Sequence, residues 1–289
     1  AGSHDVLVAG GMESMTNAPY LMLKGRGGYR IGHDRLFDHM MLDGLEDAYQ
    51  AGRSMGTFGE DCAAKYNFTR EQQDAFAMAS VQRAQDAIQS GGFAKEIAPV
   101  TVKTRAGETV VSVDEGPGKI KIDKIPTLKP AFKKDGTITA AASSSINDGA
   151  AALVMMREST AKKLGCQPLA RIASHATHAQ EPEWFATAPV GASEKALAKA
   201  GWQVGDVDLW EINEAFAVVP MALMHDLEVP HDKVNVNGGA CALGHPIGAS
   251  GARIMVTLIH ALQARGLKKG LATLCIGGGE ATAVALELV

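Results

Sequence analysis

Aromatic residues and cysteines are scarce in this sequence. Aromatic residues make up 5% of the 289 positions, and only four residues are cysteine. Cys62, Cys166, Cys241 and Cys275 are dispersed, without the paired spacing of a zinc site or of a disulfide framework. We therefore expect free thiols, no bound metal and a reducing compartment, which predicts a cytoplasmic location.

Long apolar runs and blocks of like charge are also missing. The longest apolar run, residues 215–224, is too short to span a bilayer and contains Pro220. The formal net charge is −4, and no basic cluster is present, so neither a membrane nor a nucleic acid is expected as a partner. Because 46% of the residues are hydrophobic, the chain can bury a core of ordinary size.

Apolar strand patterns alternate with helix patterns at both ends of the chain. The predicted strands are 6–9, 150–156, 169–172, 209–212, 271–275 and 282–288. The predicted helices start near Ser159, Ser193, Asn213 and Ser250. Residues 19–142 are more polar and predict one clear helix, which begins at Thr69 with a capping box and stops near Gly91. Alternation of this kind predicts a layered α/β fold.

Two parts of the sequence resemble each other. Residues 6–14 (VLVAGGMES) and 271–280 (LATLCIGGGE) are both apolar strands that end in a glycine turn, and residues 147–156 (NDGAAALVMM) look like the strand after such a turn. A duplication would make the sequence between Met15 and Ile146 an insertion into the first copy. Similarity over so few residues also arises by chance, so the pattern leaves both possibilities open.

His245 lies in a glycine-rich loop, residues 238–251 (GGACALGHPIGASG). Pro246 restricts the backbone next to it, and the glycines leave room around its ring. The loop leads into a predicted helix N-terminus, where unpaired N–H groups favour an oxyanion or a thiolate. The alternative is a turn histidine that only caps the loop.

Cys275 and Asn213 are two further candidates, each at the end of a predicted strand. Three glycines follow Cys275 closely, so backbone N–H groups there are free to donate, and a tuned thiol can act as acid or base. The alternative for Cys275 is a small buried hydrophobic residue. Asn213 is either the N-cap of the next helix or an amide that holds a water or a carbonyl oxygen.

Six segments taken together resemble the thiolase family, in the same order and reaching both ends of the chain. They are AGGMESM at 9–15, TREQQDAFA at 69–77, SSSINDGAAALV at 143–154, NEAFA at 213–217, NVNGGACALGHPIGASGARI at 235–254 and CIGGG at 275–279.

The resemblance implies a thiolase-like, duplicated α/β/α fold. Two similar five-stranded halves are expected, with a loop domain inserted in the first. On this scheme, residues 1–17 and 146–168 form the remainder of the N-terminal half, residues 18–145 the inserted loop domain, and residues 169–289 the C-terminal half.

The implied activity is acyl transfer: Claisen condensation of two acetyl-CoA to acetoacetyl-CoA, and the reverse thiolysis. Coenzyme A thioesters would be substrates, and no separate cofactor is expected. A homo-oligomer, either a dimer or a dimer of dimers, is the expected assembly. The alternatives are a 3-ketoacyl-CoA thiolase for longer chains and a non-catalytic CoA-binding protein.

The resemblance also implies roles for individual residues. His245 would activate the nucleophilic cysteine, and Cys275 would exchange a proton with the substrate α-carbon. Asn213 would hold a water that forms one oxyanion hole with His245, and the N–H of Gly277 would serve the other. Two further residues would contact substrate: Ser144 the pantetheine arm and Met55 the acyl group.

The nucleophile that the family uses is not among the matched segments. In the family it lies in a CGSG-like motif upstream of the segment that corresponds to residues 9–15. Cys62, Cys166 and Cys241 are in different contexts. We therefore expect this chain, which opens at Ala1 without Met, to be a C-terminal portion, with the nucleophile on a missing N-terminal segment. Ser54 replaces a histidine common in the acetoacetyl-CoA-specific members, which leaves the preferred acyl length open.

Overall fold

Strands and helices alternate along residues 4–289, the part of the chain that the computed structural model describes. The first three residues of the predicted segment 1–17 lie outside it. The strands are β1 (Val6–Glu13), β2 (Tyr20–Leu21), β3 (Phe37–Asp38), β4 (Val100–Thr104), β5 (Gly107–Val111), β6 (Gly149–Met156), β7 (Ala170–Ala179), β8 (Leu209–Ile212), β9 (Lys269–Ile276) and β10 (Glu280–Leu288). The helices are α1 (Met55–Tyr66), α2 (Arg70–Gln89), α3 (Glu115–Lys119), α4 (Glu158–Leu164), α5 (Ala188–Ala200), α6 (Val218–Asp226), α7 (Ala240–Leu243) and α8 (Ile247–Arg265).

The largest sheet has four strands in the order β7-β10-β9-β8. Strands β7, β10 and β9 pair antiparallel, and β8 runs parallel to β9, with Ile212 opposite Thr273. Helix α5 packs on one face of this sheet and α8 on the other. Every residue of β8 is buried, which explains why its sequence is a continuous apolar run broken only by Glu211.

Strands β1 and β6 form a second, two-stranded antiparallel sheet, in which Val8 lies opposite Val154. Helix α8 also packs against this sheet. The outer side carries exposed apolar side chains: Val8 is 67% exposed, Met12 74% and Val154 64%. A Cβ at Gly11 would collide with the backbone of Gly248, so glycine is what lets the end of β1 reach the first turn of α8.

Helix α8 contributes most of the smaller of two large hydrophobic clusters. Ile254, Leu258 and Leu262 recur every fourth residue, and all are buried against the sheets. The helix ends as predicted, with Gly266 in the left-handed conformation at φ 64°. Its start differs from the prediction: Pro246 is the N-cap, so Ser250 lies inside the first turn and does not cap the helix.

The polar region 19–142 contains two long α-helices, α1 and α2, where the sequence predicted one. Helix α1 begins after Ser54, whose side chain accepts a hydrogen bond from the Gly56 N–H (3.4 Å). It buries Phe58 and Cys62 in the main core. Gly56 and Gly59 lie in its first turns. Glycine disfavours helix formation, so the sequence did not predict this helix. Gly56 is needed because a Cβ there would meet the ring of Phe132.

The helix predicted to start near Asn213 starts later. Helix α6 begins at Val218, and the residues between it and β8 form an irregular turn. The turn is held by another part of the chain: Ala217 N–H donates to the carbonyl of Ala142 (2.8 Å), and Phe216 forms a bridge with Ser143. Long-range bonds therefore replace the helical pairing that the local sequence allows, and Asn213 is not an N-cap.

Helix α2 has the predicted capping box. The Thr69 side chain accepts from the Gln72 N–H (3.2 Å), and the Gln72 side chain accepts from the Thr69 N–H (2.9 Å). Phe76, Val81 and Ala84 are buried along its inner face. No helix within residues 4–289 is long and apolar enough to cross a membrane.

Replacing Thr69 by alanine is expected to lower the free energy of unfolding by about 1 kcal/mol, because the first turn of α2 loses one satisfied N–H. Urea denaturation measures the change. The matched control is Thr101→Ala on the exposed strand β4. Equal losses for the two variants would show that the capping box does not stabilise the helix.

Candidate active site

The candidate site lies at the carboxyl ends of the parallel strands β8 and β9. Asn213 follows β8 directly, and its N–H donates to the carbonyl of Thr273 on β9 (3.0 Å). Cys275 comes two residues later on β9. Carboxyl ends of adjacent parallel strands are where α/β sheets place their ligands, because the loops that follow the strands diverge there.

His245 is brought to this edge by hydrogen bonds at both ring nitrogens. Its Nε2 lies 3.2 Å from Asn213 Nδ2, and its Nδ1 lies 2.5 Å from Ser250 Oγ. The Ser250 hydroxyl donates its proton to the carbonyl of Pro246 (3.0 Å), so its oxygen accepts from Nδ1–H. A neutral imidazole has one donor and one acceptor nitrogen. The network therefore assigns the proton to Nδ1 and leaves Nε2 as a base.

The backbone of the His245 loop is fixed by the segment before β6. His245 N–H donates to the carbonyl of Ser145 (3.1 Å). Gly244 adopts φ 90°, and a Cβ there would collide with the side chain of Asn147. The glycine before His245 is thus required by both conformation and space. The loop backbone is held by Ser145, and the ring is held by Asn213 and Ser250. These separate contacts preorganise the imidazole.

Burial, and after it the positive charge of Arg253, lower the pKa of His245 to about 4. Arg253 lies three residues after Ser250 on α8, and its guanidinium is 3.6 Å from the buried carboxylate of Glu211. The imidazole is therefore neutral near pH 7 and available as a base. Arg253 was not among the residues predicted from the sequence. Its i, i+3 spacing from Ser250 was the available signal, because such residues share a helix face.

Cys275 is a buried thiol with 6% of its surface exposed. Burial raises its pKa to about 12, so it carries its proton at neutral pH. It belongs to the main core cluster together with Phe58, Phe185 and Phe216. A protonated thiol in such surroundings is suited to donate a proton to a carbanion, and becomes a strong base once that proton is lost.

Gly277 opens the turn between β9 and β10, two residues after Cys275. The position of a Cβ at Gly277 would be 3.8 Å from Met55 Sδ, so the first residue of α1 reaches the glycine turn. Gly278 and Gly279, with φ of 87° and 85°, complete the turn. This conformation is open to glycine and rare for other residues.

Ser144 lies beside the turn that follows Asn213. Its N–H donates to the carbonyl of Ala215 (3.0 Å), and the side chain is half-buried. The structure thus brings the six predicted site residues to one edge of the larger sheet through direct or adjacent contacts. They are Met55, Ser144, Asn213, His245, Cys275 and Gly277.

Two of the other cysteines, Cys62 and Cys241, do not have the surroundings of an activated nucleophile. Burial raises the pKa of Cys62 to about 12 and that of Cys241 well above its ordinary value. Cys166 is exposed, just after α4. Reactive thiols have a lowered pKa and a cationic or polar environment. Among residues 4–289, no group of three or more His, Cys, Asp or Glu side chains is placed to hold a metal ion.

Comparison with known families gives matches over nearly the whole chain. The family described as "Thiolase, N-terminal domain" matches residues 1–159, and the family described as "Thiolase, C-terminal domain" matches residues 166–288. A "Probable acetyl-CoA acetyltransferase" of Dictyostelium discoideum is 52% identical over 287 residues, which are 99% of this chain and 69% of that protein. An "Acetyl-CoA acetyltransferase" of Escherichia coli (strain K12) is 51% identical over 289 residues, which are 99% of this chain and 73% of that protein.

Solved structures agree with this relationship. The Bacillus anthracis acetyl-CoA acetyltransferase superposes with a TM-score of 0.95 at 44% identity, covering 100% of this chain and 73% of that one. Human mitochondrial 3-ketoacyl-CoA thiolase gives 0.93 at 39% identity, covering 99% and 72%. The Acat5 thiolase from Ascaris suum, solved in complex with coenzyme A, gives 0.92 at 42% identity, covering 100% and 73%. The thiolase-like α/β fold predicted from the sequence is confirmed.

Proposed function

This chain belongs to the thiolase family, and from that premise we propose that it catalyses the Claisen condensation of two acetyl-CoA to acetoacetyl-CoA and the reverse thiolysis. The observation that carries the proposal is the hydrogen-bonded series Asn213–His245–Ser250 beside Cys275. It provides a neutral base and a protonated thiol at one edge of the sheet. Relatives about 50% identical over 99% of the chain bear the name acetyl-CoA acetyltransferase.

In this proposal His245 takes the proton of the nucleophilic thiol. The nucleophile attacks the 3-keto carbon of acetoacetyl-CoA, and cleavage of the Cα–Cβ bond leaves an acyl-cysteine and the enolate of acetyl-CoA. The thiol of coenzyme A then attacks the acyl-cysteine and restores the free cysteine. The lone pair on Nε2, which the Ser250 hydrogen bond maintains, is the basis for assigning His245 as the base.

Cys275 would protonate that enolate in thiolysis and remove the α-proton in condensation. Oxyanions form at both stages, and preorganised donors lower their energy. The N–H of Gly277 is proposed as one donor. The other is proposed to be a water held by Asn213, whose buried Oδ1 has no partner within residues 4–289. Asn213 Oδ1 would accept a hydrogen bond from the water and so orient it. The water and His245 would together form the second oxyanion hole.

The acyl-accepting cysteine is proposed to come from outside these 289 residues. The exposed apolar face of β1 and β6, with Val8 and Val154, offers a large surface for another segment. Close approach of Gly11 to Gly248 places the end of β1 at the start of α8, next to His245. Within residues 4–289, β1 pairs only with β6, so its other edge is free. A strand that pairs in parallel with that edge would therefore end near the imidazole. The proposed division into segments 1–17 with 146–168, 18–145 and 169–289 follows the same scheme.

We propose a short acyl group as the preferred substrate, because relatives about 50% identical bear the name acetyl-CoA acetyltransferase. The rings of Phe132 and Phe185 pack edge-on against Phe216, with centroids 5.6 and 6.4 Å apart, and Met55 packs on the same cluster. Phe185 and Phe216 belong to the core cluster that contains Cys275, and Phe132 and Met55 pack against it. A 3-ketoacyl-CoA thiolase for longer chains is the second candidate, because the human enzyme of that name shares the fold at 39% identity. Rates of thiolysis with four-, six- and eight-carbon 3-ketoacyl-CoA distinguish the two.

Three further features complete the proposal. Coenzyme A thioesters act as substrates and no separate cofactor is needed, with Ser144 against the pantetheine arm. The protein acts in the cytoplasm, which agrees with free cysteines in the described chain. It assembles as a dimer or a dimer of dimers, which light scattering can measure.

The test is thiolysis of acetoacetyl-CoA by the full natural gene product. The reaction is measured as the loss of the absorbance of the acetoacetyl-CoA enolate. Turnover with coenzyme A as co-substrate and ping-pong kinetics are expected. A gene product that binds coenzyme A but never forms an acyl-enzyme, measured by intact mass, would instead identify a non-catalytic CoA-binding protein and overturn the proposal.

A further inference from the structure

Glu214 is a fully buried carboxylate that follows Asn213 and bonds to three separate segments. Its Oε2 accepts from the Ser80 hydroxyl on α2 (2.7 Å) and from the Cys241 N–H at the start of α7 (2.9 Å). Its Oε1 accepts from Asn235 Nδ2 (2.7 Å). Buried polar groups need such partners, and here the three partners come from three segments and converge on the residue directly after Asn213.

The partners of Glu214 extend its hold toward Asn213. The Asn235 side chain also bonds both backbone groups of Ile212: it accepts from the N–H (2.8 Å) and donates to the carbonyl (2.8 Å). Residues on either side of Asn213 are thus tied to the same amide and carboxylate pair. Asn213 itself is fully buried, and the bonds of its two neighbours restrain the backbone on both sides of it.

The same carboxylate holds the segment that leads to His245. Cys241 N–H bonds Glu214, and the Ser80 hydroxyl that donates to Glu214 also accepts from the Gly239 N–H (3.0 Å). A Cβ at Gly239 would collide with the carboxylate, so the loop backbone lies directly on it. His245 comes four residues after Cys241. Glu214 therefore joins the turn after β8 to the loop that leads to His245. The Asn213–His245 hydrogen bond connects the same two segments.

We propose that Glu214 is a positioning residue, which sets the spacing between Asn213 and His245 and couples both to helix α2 through Ser80. The inference rests on the proposed function of the site, and it adds a residue to which no part of that function was assigned. Glu214 does not touch substrate in this proposal; it acts by fixing the two groups that do. Precise placement is expected to matter because a shift of about 1 Å in a catalytic group can cost about 100-fold in rate.

Glutamine cannot replace this carboxylate, although it has the same shape. If the amide nitrogen occupies the Oε2 position, it faces the Cys241 N–H; if it occupies the Oε1 position, it faces Asn235 Nδ2. Asn235 cannot turn its amide over, because both of its ends are already bonded to Ile212. Either orientation sets one N–H against another and leaves a buried donor without an acceptor.

The experiment compares Glu214→Gln with Asp74→Asn in the full natural gene product. Asp74 is also a buried carboxylate, on the same helix α2 as Ser80, and pairs with Arg70 (2.7 Å). Glu214→Gln is expected to lower kcat about 100-fold and to change KM for acetoacetyl-CoA less than about threefold. Asp74→Asn is expected to lower the midpoint of thermal unfolding, with kcat unchanged within about twofold.

A spectroscopic readout separates positioning from simple loss of stability. ¹⁵N chemical shifts of the His245 ring report which nitrogen carries the proton. The wild type is expected to show the Nδ1–H form, and Glu214→Gln a mixture of both forms while still folded. If wild-type protein shows no thiolysis, the proposed function fails, and the ring spectrum still decides the role of Glu214.

Ser80→Ala provides a second, milder variant if Glu214→Gln does not fold. It removes one of the three bonds to the carboxylate and the bond from the Gly239 N–H, and it is expected to lower kcat about tenfold, less than Glu214→Gln, because two bonds to the carboxylate remain. A folded Glu214→Gln protein with wild-type kcat and an unchanged His245 spectrum would overturn the proposal. So would an Asp74→Asn protein that loses as much kcat as Glu214→Gln.

Discussion

Replacing His245 by glutamine is expected to lower kcat for thiolysis about 10²- to 10⁴-fold, the range that general base catalysis contributes. Glutamine keeps a polar group near Asn213 but has no nitrogen lone pair comparable with Nε2. The nucleophilic thiol would then have to ionise without a base. KM is expected to change little, because the side chain acts on the reacting atoms rather than on the body of coenzyme A.

His178→Gln is the matched control for this substitution. His178 lies on β7 and bonds Gln180 (3.0 Å) and Lys195 (2.9 Å); within residues 4–289 its ring forms no hydrogen bond to a residue of the proposed site. It is expected to leave kcat unchanged within about twofold. A His245→Gln enzyme with more than about a tenth of wild-type kcat would show that another group acts as the base.

The ring of His245 is expected to titrate near pH 4, well below the ordinary histidine value. Burial and the charge of Arg253 both disfavour the imidazolium, so the neutral base persists as the pH falls from 7 to about 5. Activity that depends on this base is expected to fall only as the pH drops through about 4. NMR titration of the ring measures the pKa directly, and a midpoint near 6.5 would contradict the prediction.

Replacing Cys275 by serine is expected to slow condensation strongly while acylation of the enzyme by acetyl-CoA continues. A serine hydroxyl is a much weaker acid than a thiol, and proton exchange at the α-carbon needs the group at this position. A loss of about 10²- to 10⁴-fold in condensation and thiolysis follows from removing a general acid and base. Transfer of the acetyl group between acetyl-CoA and a second thiol needs no α-proton, so it is expected to continue.

The two half-reactions distinguish this role from a structural one. Loss of both acetyl transfer and condensation in Cys275→Ser would mean that the buried side chain only supports the core. Cys166→Ser, at an exposed position, is the control and should leave both activities intact. The pKa of Cys275, raised to about 12 by burial, predicts that alkylating reagents near neutral pH modify it slowly.

Together, His245→Gln and Cys275→Ser divide the reaction into its two proton transfers. The first is expected to slow acyl transfer and condensation alike, because both need the activated nucleophile. The second is expected to slow only the carbon–carbon step. This contrast depends on Asn213 Nδ2 and Ser250 Oγ holding the imidazole, and on Cys275 lying in a different, apolar part of the site.

Local features of the fold were predictable from the sequence. The capping box at Thr69, the left-handed glycine at Gly266 and the strand Leu209–Ile212 all depend on residues within a few positions of one another. Helix α1 was missed because glycines weaken its local signal, and the start of α6 was misplaced because Ala142 and Ser143 bind the preceding turn from a distance. Both differences have one cause: tertiary contacts outweighed the local preference of the sequence.

The sequence by itself determined which residues were candidates, since glycine context and family motifs mark His245, Cys275 and Asn213. Only the tertiary structure decided how they act. The proton on Nδ1 of His245 follows from Ser250, and the joining of residues 80, 214, 235 and 241 follows from packing α2 against the loops after β8. Such contacts span up to 134 positions, between Ser80 and Glu214, and depend on how helices and sheets pack, which local preference does not specify.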